Sequence, residues 1–310
     1  MNILILGAAG FIGTNIAIKL AENKEDVITL VDNDENYFSN IKRFGYSNIR
    51  IKAVRFKPDM DFRILENQEV VYHLVSTNVP TTSNQHISQD IRQNVLFSAN
   101  LFEACVKYEV RKVIFISSGG TVYGKESKCP LPEITPTNPI SSYGVQKITI
   151  EKLLYLYNYM YGLDYRIIRL ANPYGPYQRP NGVLGAVSTF TYKALKGETI
   201  EVYGDGTVVR DFIYIDDAVR AMLNISCGES KHHIFNVGCG YGTSINKMLR
   251  TMESTLKLKL NVVYKDGRNV DVPTNFLDIS RYEKYYGKLN PISLEEGIKK
   301  TAEYMMRELM

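Results

Sequence analysis

Apolar residues in the first half of the chain come in short continuous runs: NILIL (2–6), DVITLVD (26–32), IKAVRF (51–56), VVYHLV (70–75), KVIFISS (112–118) and YRIIRLA (165–171). Runs this uniformly apolar predict strands buried on both faces, and the longer stretches between them have room for covering helices. The pattern specifies an α/β fold built on a doubly wound parallel sheet. From about Ala171 the rhythm changes, and turn-rich segments such as NPYGPYQRPNG (172–182) and VYGDG (202–206) separate shorter elements. This predicts a smaller C-terminal α/β lobe, residues 171–310, partly interleaved with a first domain of residues 1–170. There is no internal repeat and no low-complexity segment.

The chain has 310 residues, of which 45% are hydrophobic, enough to bury a full-sized core. The net charge of +4 is spread out, with no block of like charges. A small-molecule partner is therefore expected, rather than nucleic acid or a membrane surface. No basic leader opens the sequence and no long uncharged apolar run occurs in it, so a cytoplasmic protein is expected. Cys105, Cys129, Cys227 and Cys239 form no CxxC pair, which fits reduced thiols. His232 and His233 lack a third ligand at metal spacing, so no metal site is expected and the pair reads as the polar entry to a strand.

Chemistry enters at the strand ends. After NILIL come Gly7, Gly10 and Gly13 at three-residue spacing, opening a helix. Glycines there let the backbone turn tightly against a pyrophosphate, which the helix N-terminus holds by its free N–H groups. Asp32 closes the second run, where a carboxylate can accept hydrogen bonds from an adenosine ribose. It would repel a 2′-phosphate, so NAD is preferred to NADP and the first domain reads as Rossmann-type. Asp59 and the loop Ser76 to Pro80 lie at strand ends on the same rim. Tyr143 and Lys147, four apart at the start of a helix, share a face. An ammonium there should lower the phenol's pKa and let Tyr143 act as a base. Tyr108 with Lys112 and Tyr192 with Lys196 repeat the spacing but follow no serine-ended strand.

Together Gly7/Gly10/Gly13, Asp32, SSGGTVYG (117–124), Tyr143/Lys147, RLANPYGP (169–176), VYGDGTVVRDFIYIDD (202–217) and GRNVDVP (267–273) resemble the extended short-chain dehydrogenases/reductases. The likeness is strongest to the UDP-galactose 4-epimerase group of nucleotide-sugar epimerases. It implies NAD held by Gly7, Gly10, Phe11, Ile12, Gly13, Asp32, Asn33, Asp59, Met60, Leu74, Ser76, Asn94, Tyr143 and Lys147. It implies a hydroxyl from the SSGGTVYG turn assisting Tyr143. The usual positions hold Gly119 and Gly120, which leaves Ser118, slightly favoured, and Thr121, with the two glycines letting the backbone bend either one inward. Substrate is expected on Asn172, Val183, Arg210, Arg268, Asp271 and Asn275, the arginines and Asn172 on the diphosphate and Asp271 on the nucleoside ribose. Asn275 stands where a bulky tyrosine restricts some relatives to plain hexoses, so UDP-GlcNAc and UDP-GalNAc are expected substrates beside UDP-Glc and UDP-Gal. The resemblance further implies a homodimer through the helix carrying YLYNYMYG (155–162) and the one around Ile87 to Tyr108, although the tyrosines themselves read as packing against a neighbouring helix. A dehydratase or reductase of the same family is the alternative reading, and a catalytically idle NAD-binding regulator is the third. The turn lacks the acidic residues that serve water elimination, which favours epimerisation.

Overall fold

The computed structural model describes residues 1–78, 83–125, 128–180, 185–267 and 272–309. The strands are β1 (Asn2–Leu6), β2 (Val27–Asp32), β3 (Ile49–Ala53), β4 (Val70–His73), β5 (Lys112–Ser118), β6 (Asp164–Leu170) and β7 (Asn172–Tyr174). They continue with β8 (Ile200–Tyr203), β9 (Val209–Arg210), β10 (Phe212–Tyr214), β11 (Ile234–Val237), β12 (Thr243–Ser244), β13 (Val262–Lys265) and β14 (Thr274–Asn275). The α-helices of the first half are α1 (Phe11–Ala21), α2 (Ser39–Lys42), α3 (Ile87–Asp90), α4 (Phe97–Lys107) and α5 (Ser142–Tyr161). Those of the second half are α6 (Ala186–Lys196), α7 (Ile215–Cys227), α8 (Ile245–Leu256), α9 (Ser280–Tyr286) and α10 (Leu294–Glu308).

The chain divides into two interleaved compact units: Met1–Ser118 with Ser141–Ile168 and Ser226–Ile234, and Gly119–Ile140 with Arg169–Ile225 and Phe235–Met310. The main exchange falls beside the expected boundary at residue 170, but the turn after β5 belongs to the second unit. The large sheet is seven-stranded in the order β11-β6-β5-β4-β1-β2-β3. β1 pairs in parallel with both β2 and β4, Ile3 lying opposite Ile28 and Val70. The chain therefore reverses direction across the sheet at the β1/β4 junction, the switch point where doubly wound folds bind ligands at their carboxyl ends.

All six apolar runs form strands. The run expected at 51–56 is displaced to Ile49–Ala53 and shows no buried residue, because β3 is an edge strand with one neighbour. The first unit's core joins Leu4, Leu6, Val71, Phe97, Phe102, Phe115, Leu154 and Ile167. The second unit packs Tyr174, Val187, Val202, Phe212, Met248, Met252 and Ile298. The segment expected as one helix around Ile87 to Tyr108 is interrupted by a π-helical turn at Ile91–Leu96, which turns Asn94 into the protein.

Candidate active site

β1 ends in a turn at Gly7, whose φ of 82° disfavours a side chain. A Cβ on Gly13 would stand 2.5 Å from the Gly7 carbonyl and 2.7 Å from the Ala8 Cα, so α1 presses directly on the turn. Its first-turn N–H groups, at Phe11, Ile12 and Gly13, lie beyond the reach of any helical carbonyl and are available to an anion. Asp32 is buried at the end of β2, its carboxylate accepting the Ala9 N–H at 3.0 Å and the Asn33 N–H at 2.8 Å. It thus caps the following residue and also ties the ribose position to the glycine turn. The Asn33 carboxamide oxygen accepts the Phe56 N–H, bracing the chain after β3. Leu74, just beyond β4, backs Gly7, its carbonyl carbon 3.2 Å from where a Cβ would sit. Met60 packs on the core, while Asp59 and Ser76 stay exposed on the rim. Donors at a helix start beside a carboxylate acceptor, with no side chain obstructing the turn, fit a dinucleotide.

The reactive pair stands on α5, whose start is pinned three ways. Ser141 Oγ accepts the Gly144 N–H, Asn84 Oδ1 accepts the Ser142 N–H, and Ser83 Oγ accepts the Tyr143 N–H. Lys147 is buried, donates to the Ile116 carbonyl at 2.9 Å, and lies 5.4 Å from the Tyr143 ring centroid and 4.7 Å from that of Phe115. Burial draws its ammonium down to about 8, opposed by the Glu151 charge. Burial also pushes the Tyr143 phenol up to about 12. Desolvation thus opposes the expected lowering of Tyr143, and the nearby ammonium, itself drawn down by burial, donates to a carbonyl. A small pocket lined by Ser76, Asn78, Asn94, Tyr143, Gln146 and Lys147 opens beside the pair. Asn94 braces its wall, accepting from the Thr77 backbone and hydroxyl and donating to Gln146 Oε1 at 2.9 Å. Gln146 and Glu151 were not foreseen; polar residues at buried helical positions on the face of Tyr143 were the available signal.

From Gly119 onward the SSGGTVYG segment belongs to the second unit, and its left-handed glycine is Gly124, with a φ of 80°. Neither Gly119 nor Gly120 has positive φ. A Cβ on Gly119 would lie 2.6 Å from a Leu277 methyl and 3.1 Å from the Arg169 carbonyl oxygen, so a side chain there would require Leu277 to move. Ser118 ends β5, half-buried. Thr121 Oγ1 is buried with no hydrogen-bond partner among the described residues. Asn172 Nδ2 donates to the Asp211 carbonyl, and Arg210 Nη1 to the carbonyls of Val209 and Val272. Asn275, opposite Arg210 in the β9/β14 register, is 1% exposed; its Nδ2 donates to the Gly119 carbonyl at 3.2 Å while Oδ1 has no partner. Val183, Arg268 and Asp271, together with Pro80, lie outside the described residues. Asp211, which sequence reasoning missed, is fully buried and gathers the N–H groups of Cys239, Gly240 and Leu277. His232 and His233 do precede β11, and the four cysteines are free. Among the described residues no helix is long and apolar enough to cross a membrane.

A glycine turn at the switch point, a carboxylate closing β2 and a Tyr-x-x-x-Lys helix whose lysine is buried define a dinucleotide-dependent enzyme of the extended short-chain dehydrogenase/reductase type. The chain belongs to the NAD dependent epimerase/dehydratase family, whose profile matches residues 3–238. It is 33% identical over 311 residues to the UDP-glucose 4-epimerase of Mycolicibacterium smegmatis, covering 98% of each chain. The crystal structure of the Thermotoga maritima UDP-glucose 4-epimerase with UDP-glucose superposes with a TM-score of 0.91 at 36% identity over 100% of both chains. The Methanobrevibacter ruminantium UDP-N-acetylglucosamine 4-epimerase, in complex with UDP-N-acetylmuramic acid, gives a TM-score of 0.91 at 31% identity over 99% of both.

Proposed function

We propose that the protein is a cytoplasmic UDP-hexose 4-epimerase that uses NAD and interconverts UDP-Glc with UDP-Gal and UDP-GlcNAc with UDP-GalNAc. The observation that carries this is the half-buried Tyr143 beside the buried Lys147 on α5, next to their pocket. NAD, when bound, supplies reversible hydride transfer, so the reaction closes without net oxidation. Phe11, Ile12 and Gly13 hold its pyrophosphate, Asp32 its ribose, and Asp59, Met60, Leu74 and Ser76 form the rim around it. Tyr143 accepts the proton of the sugar O4 and returns it. Lys147 supplies the positive charge that favours the phenolate. Thr121 is the better candidate for the assisting hydroxyl, because an oxygen buried without a partner costs free energy that a bound hydroxyl can offset. Asn172 and Arg210, with Arg268, Asp271 and Val183, hold the nucleotide, and Arg210 is already aimed by two backbone carbonyls. Asn275 leaves more room beside the sugar than tyrosine would. The four free thiols fit a reducing compartment.

A homodimer through α5 is part of this proposal, and the exposed residues there support it. Tyr155, Tyr159 and Met160 are 60%, 80% and 55% exposed, and Ile87 and Ile91 on α3 and the π-turn are also exposed. Only Tyr157 packs inward as expected, edge to face on Phe102. Patches of this kind mark protein interfaces. Sedimentation equilibrium should give twice the chain mass for the wild type and the single chain mass for Tyr159→Glu; a monomeric wild type removes the homodimer.

The deciding experiment is proton NMR of the anomeric signals with each of the four UDP-sugars and no added reductant. Interconversion of each pair to a fixed ratio is expected. Unchanged spectra with NAD bound would overturn the assignment.

A further inference from the structure

We infer that Glu151 is a positioning residue of this reaction: anchored by Ser117, it stands one turn beyond Lys147 on α5 and keeps the lysine ammonium charged. The inference rests on the epimerase reading for its catalytic consequence, and on geometry for its electrostatics. Tyr143, Lys147 and Glu151 recur every four residues and so share one face of the helix. Lys147 is 6% exposed, and Glu151 and Ser117 are 3% exposed each. Ser117 Oγ, on β5, donates to Glu151 Oε1 at 2.5 Å, the length of a hydrogen bond to a charged acceptor.

A buried carboxylate is costly, and an apolar residue would pack this helix face against the sheet at less expense in desolvation. Its position is explained by what surrounds Lys147. From α5 come Tyr143 and Glu151 themselves. β5 contributes the Ile116 carbonyl and the Phe115 ring, neither of them charged. His73 of β4 is kept neutral, its imidazole drawn down to about 3 by burial and then by Lys147. Tyr165 of β6 has its phenol pushed up to about 12, chiefly by burial and to a lesser extent by Tyr155 and Glu151. Glu151 is therefore the one negative charge in this set, and it opposes the burial that draws Lys147 down to about 8. Removing it leaves burial unopposed, so Lys147 loses its proton at a lower pH.

The test is Glu151→Gln, which keeps the shape and an acceptor for Ser117. In cofactor-free protein labelled with ¹³C,¹⁵N-lysine, the Lys147 ammonium is titrated by NMR and assigned by its loss in Lys147→Arg. Its midpoint should fall by about one pH unit, the effect of losing an opposite charge one helical turn away. In the epimerase assay the alkaline limb of kcat should move to lower pH by the same amount, with KM for the UDP-sugar unchanged and kcat recovering toward wild type as the pH is lowered. Ser117→Ala should move both in the same direction by less, and it serves alone if Glu151→Gln does not fold. An unmoved midpoint and limb, whatever happens to the melting temperature, overturns the role of Glu151. Should the wild type turn over no UDP-sugar, the epimerase reading falls, and the NMR midpoint still decides the electrostatic claim.

Discussion

The Tyr143/Lys147 pair of the first unit and the amide and guanidinium side chains of the second are treated in opposite ways. In the first, the Tyr143 hydroxyl makes no hydrogen bond among the described residues, and Lys147 makes one, to the Ile116 carbonyl. In the second, Asn172, Arg210 and Asn275 each give a side-chain N–H to a backbone carbonyl, of Asp211, of Val209 and Val272, and of Gly119. Groups proposed to gain and lose a proton are left lightly bonded in a desolvating wall, where their pKa values can respond to what binds. Groups proposed to hold a charged ligand are fixed in advance by the framework, which spares the entropy of ordering them later.

Changes at the lightly bonded end should be felt in chemistry and changes at the framework end in stability. The largest effect is expected from Tyr143→Phe, which removes the proton acceptor: kcat should fall about 10³-fold, with KM and melting temperature close to wild type. A matching loss of stability would mean that the phenol is structural. Thr121→Ala should lower kcat about 10²-fold and Ser118→Ala far less; the reverse order in the same assay would return the assisting role to Ser118.

Asp211→Ala should act on the framework alone. It orphans three buried N–H groups, and unfolding in urea should show a loss of about 3 kcal/mol, with the Lys147 titration unmoved. Burial raises the Asp211 carboxyl from its ordinary 3.8 to about 6, against the pull of its three N–H donors. The folded protein therefore favours the protonated acid. That contribution is complete below pH 3.8 and is lost as the pH rises through about 6. Melting temperature against pH should show this decline in the wild type and lack it in Asp211→Ala. The narrowest prediction concerns Asn275→Tyr, which should abolish turnover of the acetylated pair and spare UDP-Glc and UDP-Gal. Equal loss of both pairs would show instead that the bond to Gly119 serves the turn and not the sugar.

Much of the first unit was legible beforehand. Six strands, the glycine turn, Asp32 and the Tyr143/Lys147 helix were all named from local pattern. The misses have a common origin. The π-turn that carries Asn94 inward has no period of its own, and the mismatch at β3 follows from edge position, which an apolar run cannot report. Asp211 looked like any loop acid because its three donors come from residues 239, 240 and 277. In the second unit, short strands joined by turns left little periodicity to read.

What the sequence by itself determined is the order of elements and the identity of the chemical groups at their ends, since these rest on spacings of two to four residues along the backbone. Only the tertiary structure decided how those groups behave. It turned the expected lowering of Tyr143 into a rise to about 12. It packed Gly119 against Leu277, and it set a carboxylate and a serine 34 positions apart into one buried bond. Desolvation and packing are sums over neighbours distant in the chain, and those neighbours exist only once the chain has folded.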